Sequence, residues 1–240
     1  MWSRDCRKCT IQPRSIFADI DPKDIEEMNK KKISTLYKKG QCIFYAGQTP
    51  IGIYCLNEGY VKIAKVGKDG KEQIVRFAAQ GSLLGIRALI GGRRYSATST
   101  ALDDSMVCFI NKKNFFKLTL KYPKIARFLM ETLSKLLEEA EERMISLAQK
   151  PVRERVAESL LILNNIFDID QTENTELKEG GVISLSREDI ANLVGTATET
   201  LIRVLSDFKE EKLIEIRGRK IILIDIYALI KVANTMDKLS

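Results

Sequence analysis

Three groups of residues in this 240-residue chain are of types that could do chemistry. The first is Cys6-Arg7-Lys8-Cys9, a C-x2-C pair near the N-terminus, with further cysteines at Cys42, Cys55 and Cys108. Two thiolates at that spacing can share a metal ion or an iron–sulfur cluster, but a site needs more ligands. The second group is Glu199 and Arg203, one helical turn apart in VGTATETLIRVLSDF. A guanidinium can donate two hydrogen bonds to a guanine, and a carboxylate can accept one from a cytosine amine. The third group is Arg217, Arg219 and Lys220 around Gly218, cations suited to phosphate oxygens. Histidine is absent from the whole chain. The commonest metal ligand and general base is therefore missing, and His-ligated haem with it. Ser96 and Thr98 have no imidazole to activate them, so the chain reads as a binding protein and not as an enzyme.

The elements that must carry Glu199 and Arg203 are legible in residues 184–225. Ser186 is a natural N-cap with Asp189 three residues on, an aspartate version of the capping box. Ile190, Ala191, Leu193 and Val194 give the first helix one apolar face, and Gly195 is the left-handed stop. Thr196 begins a second helix, with Glu199 at its third position. On that helix Leu201, Val204, Leu205 and Phe208 fall on one stripe, with Glu199, Ile202, Arg203 and Ser206 turned roughly the opposite way. The hairpin LIEIRGRKIILI follows. This is a helix-turn-helix with a wing, built to enter a major groove of double-stranded DNA. The plainer alternatives are that Glu199 only completes a capping box after Thr196 and that Arg203 is a solvated charge.

Composition agrees with a polyanionic partner. Lys and Arg outnumber Asp and Glu by 39 to 32, a formal charge of +7 and a pI near 9.1. The start MWSRDCRKC has no apolar core of a signal peptide, and the long uncharged run 40–57 is broken by glycine and proline, so no membrane partner is expected. Cysteines without a secretory signal suit a reducing, cytoplasmic setting, where they are thiols or ligands.

The rest of the chain divides into four parts, and the fold class is α+β. Residues 1–20 form a cysteine-containing leader. Residues 21–121 form a sensor domain, in which a helix opened by Asp21-Pro22 precedes short strands with glycine-rich turns, including the hairpin signal Lys68-Asp69-Gly70. That pattern predicts a jelly-roll β-barrel. Residues 122–150 form a long helix in which Ala126, Met130, Leu133, Leu137, Ala140, Met144 and Leu147 follow a 4-3-4-3-4-3 heptad spacing. A second copy of the same seam is its simplest partner, making Met130 to Leu147 the expected dimerisation surface; the alternative is packing on its own barrel. Residues 151–240 form the winged helix-turn-helix domain, opening with a helix whose stripe is Val156, Leu160, Leu161 and Leu163, followed by a polar loop from Asp168 to Gly181.

Leader, jelly roll, long helix and winged helix-turn-helix, in that order, resemble the CRP/FNR superfamily of bacterial transcription regulators over nearly the whole chain. The most specific stretch is VGTATETLIRVLSDFKEEKLI, which is similar to the family's recognition pattern G-x-x-x-E-T-x-x-R. The resemblance implies base contacts from Glu199 and Arg203, and phosphate contacts from Ser186, Arg187 and Thr200. It implies wing contacts from Arg217 and Arg219, with Thr196 and Thr198 at the start of the reading helix completing the DNA-binding set. Ile202 stands where the FNR branch usually has serine. The implied function is sequence-specific binding of a palindromic operator by a homodimer, two reading helices about 34 Å apart. A redox, oxygen or small-molecule signal would control it, and RNA polymerase would be a partner. The competing reading is a ligand-binding regulatory subunit with a cyclic-nucleotide-binding-like domain that does not act on DNA.

The sensor half bears on the signal. The cyclic-AMP branch holds its ligand with G-E-L and R-S, which here read Gly85-Ile86-Arg87 and Tyr95-Ser96, so cyclic AMP is not expected. Arg87, Arg93 and Arg94 are the candidate replacement cations. The stretch ALDDSMVCFI resembles the FNR segment with an internal cysteine ligand, Cys108, and the leader pair resembles two more at Cys6 and Cys9. The resemblance implies a 4Fe-4S cluster on Cys6, Cys9 and Cys108. The family's next cysteine is Ser15 here, so a non-cysteine fourth ligand such as Asp5, Asp19 or Asp21 is expected. Cys42 and Cys55, in predicted strands, read as small buried hydrophobes.

Overall fold

The computed structural model describes residues 6, 16–17, 20–167 and 181–234. Of the residues singled out above, Asp5, Cys9, Ser15 and Asp19 lie outside these, as do residues 168–180 of the polar loop. The described residues fall into two compact units, 1–71 with 75–139 and 72–74 with 140–240. Among them no helix is long and apolar enough to cross a membrane.

The first unit opens with α1 (Pro22–Lys31), where Asp21 accepts a hydrogen bond from the Lys23 amide at 2.8 Å and proline occupies the first helical position. Eight strands follow: β1 (Ile33–Tyr37), β2 (Cys42–Phe44), β3 (Gly52–Glu58), β4 (Val61–Val66), β5 (Glu72–Ala78), β6 (Leu83–Leu84), β7 (Thr98–Ala101) and β8 (Ser105–Asn111). They make two four-stranded sheets, ordered β1-β8-β3-β6 and β2-β7-β4-β5, the jelly roll expected from the glycine-punctuated pattern. The Lys68-Asp69-Gly70 turn joins β4 to β5, with Gly70 at φ +75°.

Two helices of this unit escape the strand-based reading. α2 (Ile86–Ile90) is a single short element, and α3 (Lys112–Lys121) follows β8 directly. Asn111 ends the strand and caps the helix at once, accepting from the Asn114 amide at 2.9 Å, while Phe115 and Leu118 bury its apolar side. Tyr122 is extended before Pro123, as a residue preceding proline prefers, and α4 (Pro123–Gln149) then runs the length expected of the seam helix.

Side-chain alternation along β3 and β8 divides the hydrophobic residues into two layers. Leu56 and Val107 join Phe44, Leu84 and Tyr95 inside the barrel. Ile53 and Ile110 face the other way, where Ile16, Phe17 and Ile20 of the leader pack with Ile25 and Met28 of α1, Phe115 and Leu118 of α3, and Ile125 and Leu129 of α4.

The second unit contains α5 (Val152–Phe167), β9 (Val182–Ile183), α6 (Arg187–Val194), α7 (Thr198–Glu210), β10 (Ile214–Arg217), β11 (Lys220–Leu223) and α8 (Ile226–Ala233). β10, β11 and β9 form an antiparallel sheet. Val156, Leu160 and Leu163 of α5 are fully buried, as expected, while Leu161 is half-buried at the edge of the stripe. Lys150, in the break after α4, pairs with Glu158 at 3.0 Å and donates to the Ala233 carbonyl at 2.9 Å, satisfying an acceptor at the end of α8.

Asp24 ties α1 to the end of α3. It accepts from Lys121 Nζ at 2.5 Å and from the Tyr122 hydroxyl. The Lys121 hydrogen bond, then that of Tyr122, holds its carboxyl below the usual carboxylate range, against the opposing effect of burial. A depressed folded-state pKa stabilises above the unfolded value, near about 3.9, and that contribution is lost as pH falls through the folded value. Asp24→Asn is therefore expected to cost about 1 kcal/mol near neutral pH, modest because Lys121 is 55 % exposed. It should also flatten the acid-side decline of unfolding free energy, both read by urea titration between pH 7 and pH ~3.

Candidate nucleic-acid interface and thiol site

The helix-turn-helix geometry begins at Ser186. Its hydroxyl accepts from the Asp189 amide at 2.9 Å, capping α6, and donates to the Asp189 carboxylate at 2.6 Å. Gly195 ends α6 at φ +73°, and the amides of Gly195 and Thr196 both donate to the Ala191 carbonyl, at 2.9 and 3.1 Å. A Cβ at Gly195 would come within 2.9 Å of Leu147 Cδ2, an atom free to shift, so it is the left-handed backbone angle that favours glycine.

The second helix starts later than the sequence suggests. Thr196 lies in the turn, Ala197 is the N-cap, and α7 opens at Thr198. The reason is backbone geometry: with Gly195 left-handed and Ala197 extended at ψ 148°, the chain spends three residues reversing direction. Glu199 is then the second helical residue, and Ala197 offers no side-chain cap. The capping-box alternative for Glu199 loses its partner.

Leu201, Leu205 and Phe208 are buried on α7, with Val204 half-buried, while Glu199, Ile202, Arg203 and Ser206 are exposed. Ile202 is 48 % exposed despite its apolar side chain. In the wing, Gly218 turns at φ +59° between β10 and β11, and Arg219 and Lys220 are exposed beside it. Arg217 is already engaged, forking onto Glu215 at 2.7 and 2.9 Å. Arg187 donates to the Arg219 carbonyl at 3.2 Å, tying the first helix to the wing; burial lowers its pKa.

On α4, Met130, Leu137, Ala140, Met144 and Leu147 are exposed and Leu133 is half-buried. A single chain thus leaves the predicted seam largely uncovered.

Inside the barrel, Tyr95 is buried and stacks on Phe44 with ring centroids 4.0 Å apart. Its ring also lies against Gly85, where a Cβ would meet it at 3.0 Å. Burial pushes the Tyr95 phenol up to about 12. Of the candidate replacement cations, Arg87 reaches Ser96, donating to its hydroxyl at 3.0 Å. Arg94 instead donates to the Gly47 carbonyl at 2.9 Å.

The thiols converge on Lys32, the C-cap residue of α1. Its ammonium donates to Cys6 Sγ at 3.0 Å and lies 4.0 Å from Cys108 Sγ. The Cys6 amide donates to Asn29 on α1 at 2.9 Å. Cys108 is buried on β8, with Ser34 Oγ 3.4 Å from its sulfur. Cys9 lies outside the described residues. Asp21 spends its carboxylate on capping α1. Cys42 and Cys55 are half-buried, not buried; Cys42 Sγ lies 3.5 Å from Thr100 Oγ1. Among the described residues no group of three or more Cys, Asp or Glu side chains is gathered into a metal-binding constellation.

Comparison with known proteins matches residues 35–122 to the cyclic nucleotide-binding domain and residues 154–232 to the Crp-like helix-turn-helix domain. The fumarate and nitrate reduction regulatory protein of Vibrio cholerae is 27 % identical, over 95 % of this chain and 90 % of that protein. The transcriptional activator protein Anr of Pseudomonas protegens is 26 % identical, over 95 % and 92 %. The structure of FixK2 from Bradyrhizobium japonicum superposes with a TM-score of 0.72 at 25 % identity, over 84 % of this chain and 96 % of that one.

Proposed function

The chain belongs to the CRP/FNR superfamily and is a DNA-binding transcription regulator, and on that premise we propose that it reads a palindromic operator as a homodimer under redox control. The observation that carries the reading is α7: a buried stripe of Leu201, Leu205 and Phe208 with Glu199 and Arg203 exposed. In a major groove Arg203 donates to guanine and Glu199 accepts from cytosine, while Ile202 packs on a thymine methyl. Ser186, Arg187, Thr196, Thr198 and Thr200 contact phosphates or neighbouring bases, and the wing adds Arg217 and Arg219. Met130, Leu133, Leu137, Ala140, Met144 and Leu147 form the dimer seam. The protein acts in the cytoplasm, and RNA polymerase is its partner at the promoter.

Cyclic AMP is not the effector: the Tyr95 ring occupies the space beside Gly85 and brings no cation for a phosphate. The signal is sensed by a 4Fe-4S cluster held by Cys6, Cys9 and Cys108. What supports this reading is that a leader thiol and a barrel thiol both lie near one ammonium and that the chain has no histidine to compete. Bound, the cluster supplies redox chemistry that no side chain here offers. Lys32 offsets thiolate charge, and Asn29 anchors the Cys6 backbone. Leader residues Ile16, Phe17 and Ile20 share one apolar layer with Ile125 and Leu129 of α4. Release of the leader therefore alters the support of the seam helix.

Arg203→Ala is expected to lose about 1–3 kcal/mol of discrimination at one base pair. Arg219→Ala should weaken binding to all sequences and lower the salt slope by about one, with a smaller loss for Arg217→Ala, which is paired to Glu215. Selection from a random duplex library, followed by salt titration, reads both; an unchanged selected motif for Arg203→Ala rules out this face of α7. For the cluster, anaerobic reconstitution should load iron and sulfide onto the wild type and little onto Cys108→Ala, whereas equal loading excludes Cys108 as a ligand.

A further inference from the structure

The last carbonyls of a helix have no intrahelical amide to accept from, and at the end of α6 side chains take them one by one. The Ala191 carbonyl is used within the turn, by the amides of Gly195 and Thr196. Gln73 Nε2 donates to the Asn192 carbonyl at 2.6 Å and to that of Leu193 at 3.3 Å. Arg143 of α4 also donates to the Leu193 carbonyl, and Arg155 of α5 donates to that of Gly195 at 3.3 Å. A second bond from Arg155, at 3.1 Å, goes to the Leu147 carbonyl on α4. Leu147 in turn lies against Gly195, its Cδ2 2.9 Å from where a Cβ would stand. Two guanidiniums thus share the negative end of one helix, which offsets their mutual repulsion. Burial lowers the Arg143 pKa, with Glu158 opposing and Arg155 adding to the shift. A cation kept in such a place needs acceptors, and the turn supplies them.

The turn held in this way sets the start of α7: Gly195 is left-handed and Ala197 extended just before the reading helix opens at Thr198. The part of α4 that holds it, from Arg143 to Leu147, also carries Met144 and Leu147 of the seam. We propose that Arg143 and Arg155 are positioning residues for DNA reading: they lock the turn to the end of the seam helix, so that seam pairing dictates the separation of the two reading helices. The inference rests on the preceding reading of a homodimer on a palindromic operator. Neither arginine needs to touch DNA. Together their bonds tie the turn to α4 and α5, and losing both lets it shift while Leu201, Leu205 and Phe208 keep α7 packed.

The test compares the wild-type full chain with Arg143→Met, Arg155→Met and the double variant, which keep the aliphatic stems and lose the donors. Each is titrated with the operator selected for the wild type, with one half of it alone, and with operators carrying one extra base pair between the halves; circular dichroism confirms folding. For the wild type the added base pair should weaken binding about tenfold or more, because it moves the second half-site along and around the duplex. In the double variant that penalty should fall to about twofold, with half-site affinity unchanged. An unchanged spacing penalty in the folded double variant overturns the inference and leaves the homodimer reading standing. So does an equal loss on the half-site and the whole operator, the mark of a merely structural role. A wild type that binds the half-site as tightly as the whole operator removes the dimeric reading, and the inference with it. If the double variant does not fold, the single variants decide in the same way: a relaxed spacing penalty supports the inference, and an unchanged one overturns it.

Discussion

The constraint on which the DNA-facing half depends is the burial of one stripe of α7. A helix can rotate about its axis, and only packing decides which residues meet solvent. Leu201, Leu205 and Phe208 are each almost wholly buried. Burial of a side chain of that size contributes about 1.5–3 kcal/mol, so turning all three outward would cost about 4.5–9 kcal/mol, comparable to the whole net stability of a domain. Arg153 lies over the Phe208 ring at 4.6 Å and bonds to Glu211, closing the end of the helix. The positions of Glu199 and Arg203 follow from that burial, and the left-handed Gly195 aims the helix start. Function here is a by-product of packing: the polar face is whatever the apolar stripe leaves outside.

The sensor half depends on a comparable division. The two-residue period of β3 and β8 sends Leu56 and Val107 into the barrel and leaves Ile53, Cys55, Cys108 and Ile110 on the leader-covered face. Aromatic packing fills the inward side, with Phe44 between Tyr54 and Tyr95 at centroid distances of 5.7 and 4.0 Å. The outward side combines thiols with the apolar layer that reaches α4. One strand pair thus separates an aromatic-filled interior from a face that carries thiols and the apolar layer.

Much of this was legible in the sequence because the signals are local. The Ser186 cap, the Gly195 stop, the 3.6-residue stripe of α7 and the Lys68-Asp69-Gly70 turn each depend on a few neighbouring residues. The start of α7 was misplaced by two residues because the turn uses Ala197 in an extended conformation that no side-chain signal announces. α3 was missed because Asn111 closes a strand and opens a helix without a break. The nearness of Cys6 to Cys108 followed only from the family resemblance, and the facing of Cys108 by Cys55 could not be read at all. That facing depends on strand register across a separation of 53 residues, set by the connections between strands and not by composition.

The central claim is that two copies of α7 read DNA together, held at a fixed spacing by the α4 seam. Hydroxyl-radical footprinting of the wild-type protein on its selected operator tests that most directly. Two protected patches on one face of the duplex, with centres one helical turn or about 34 Å apart, are the predicted result. A single patch, or uniform protection without regard to sequence, would contradict the account.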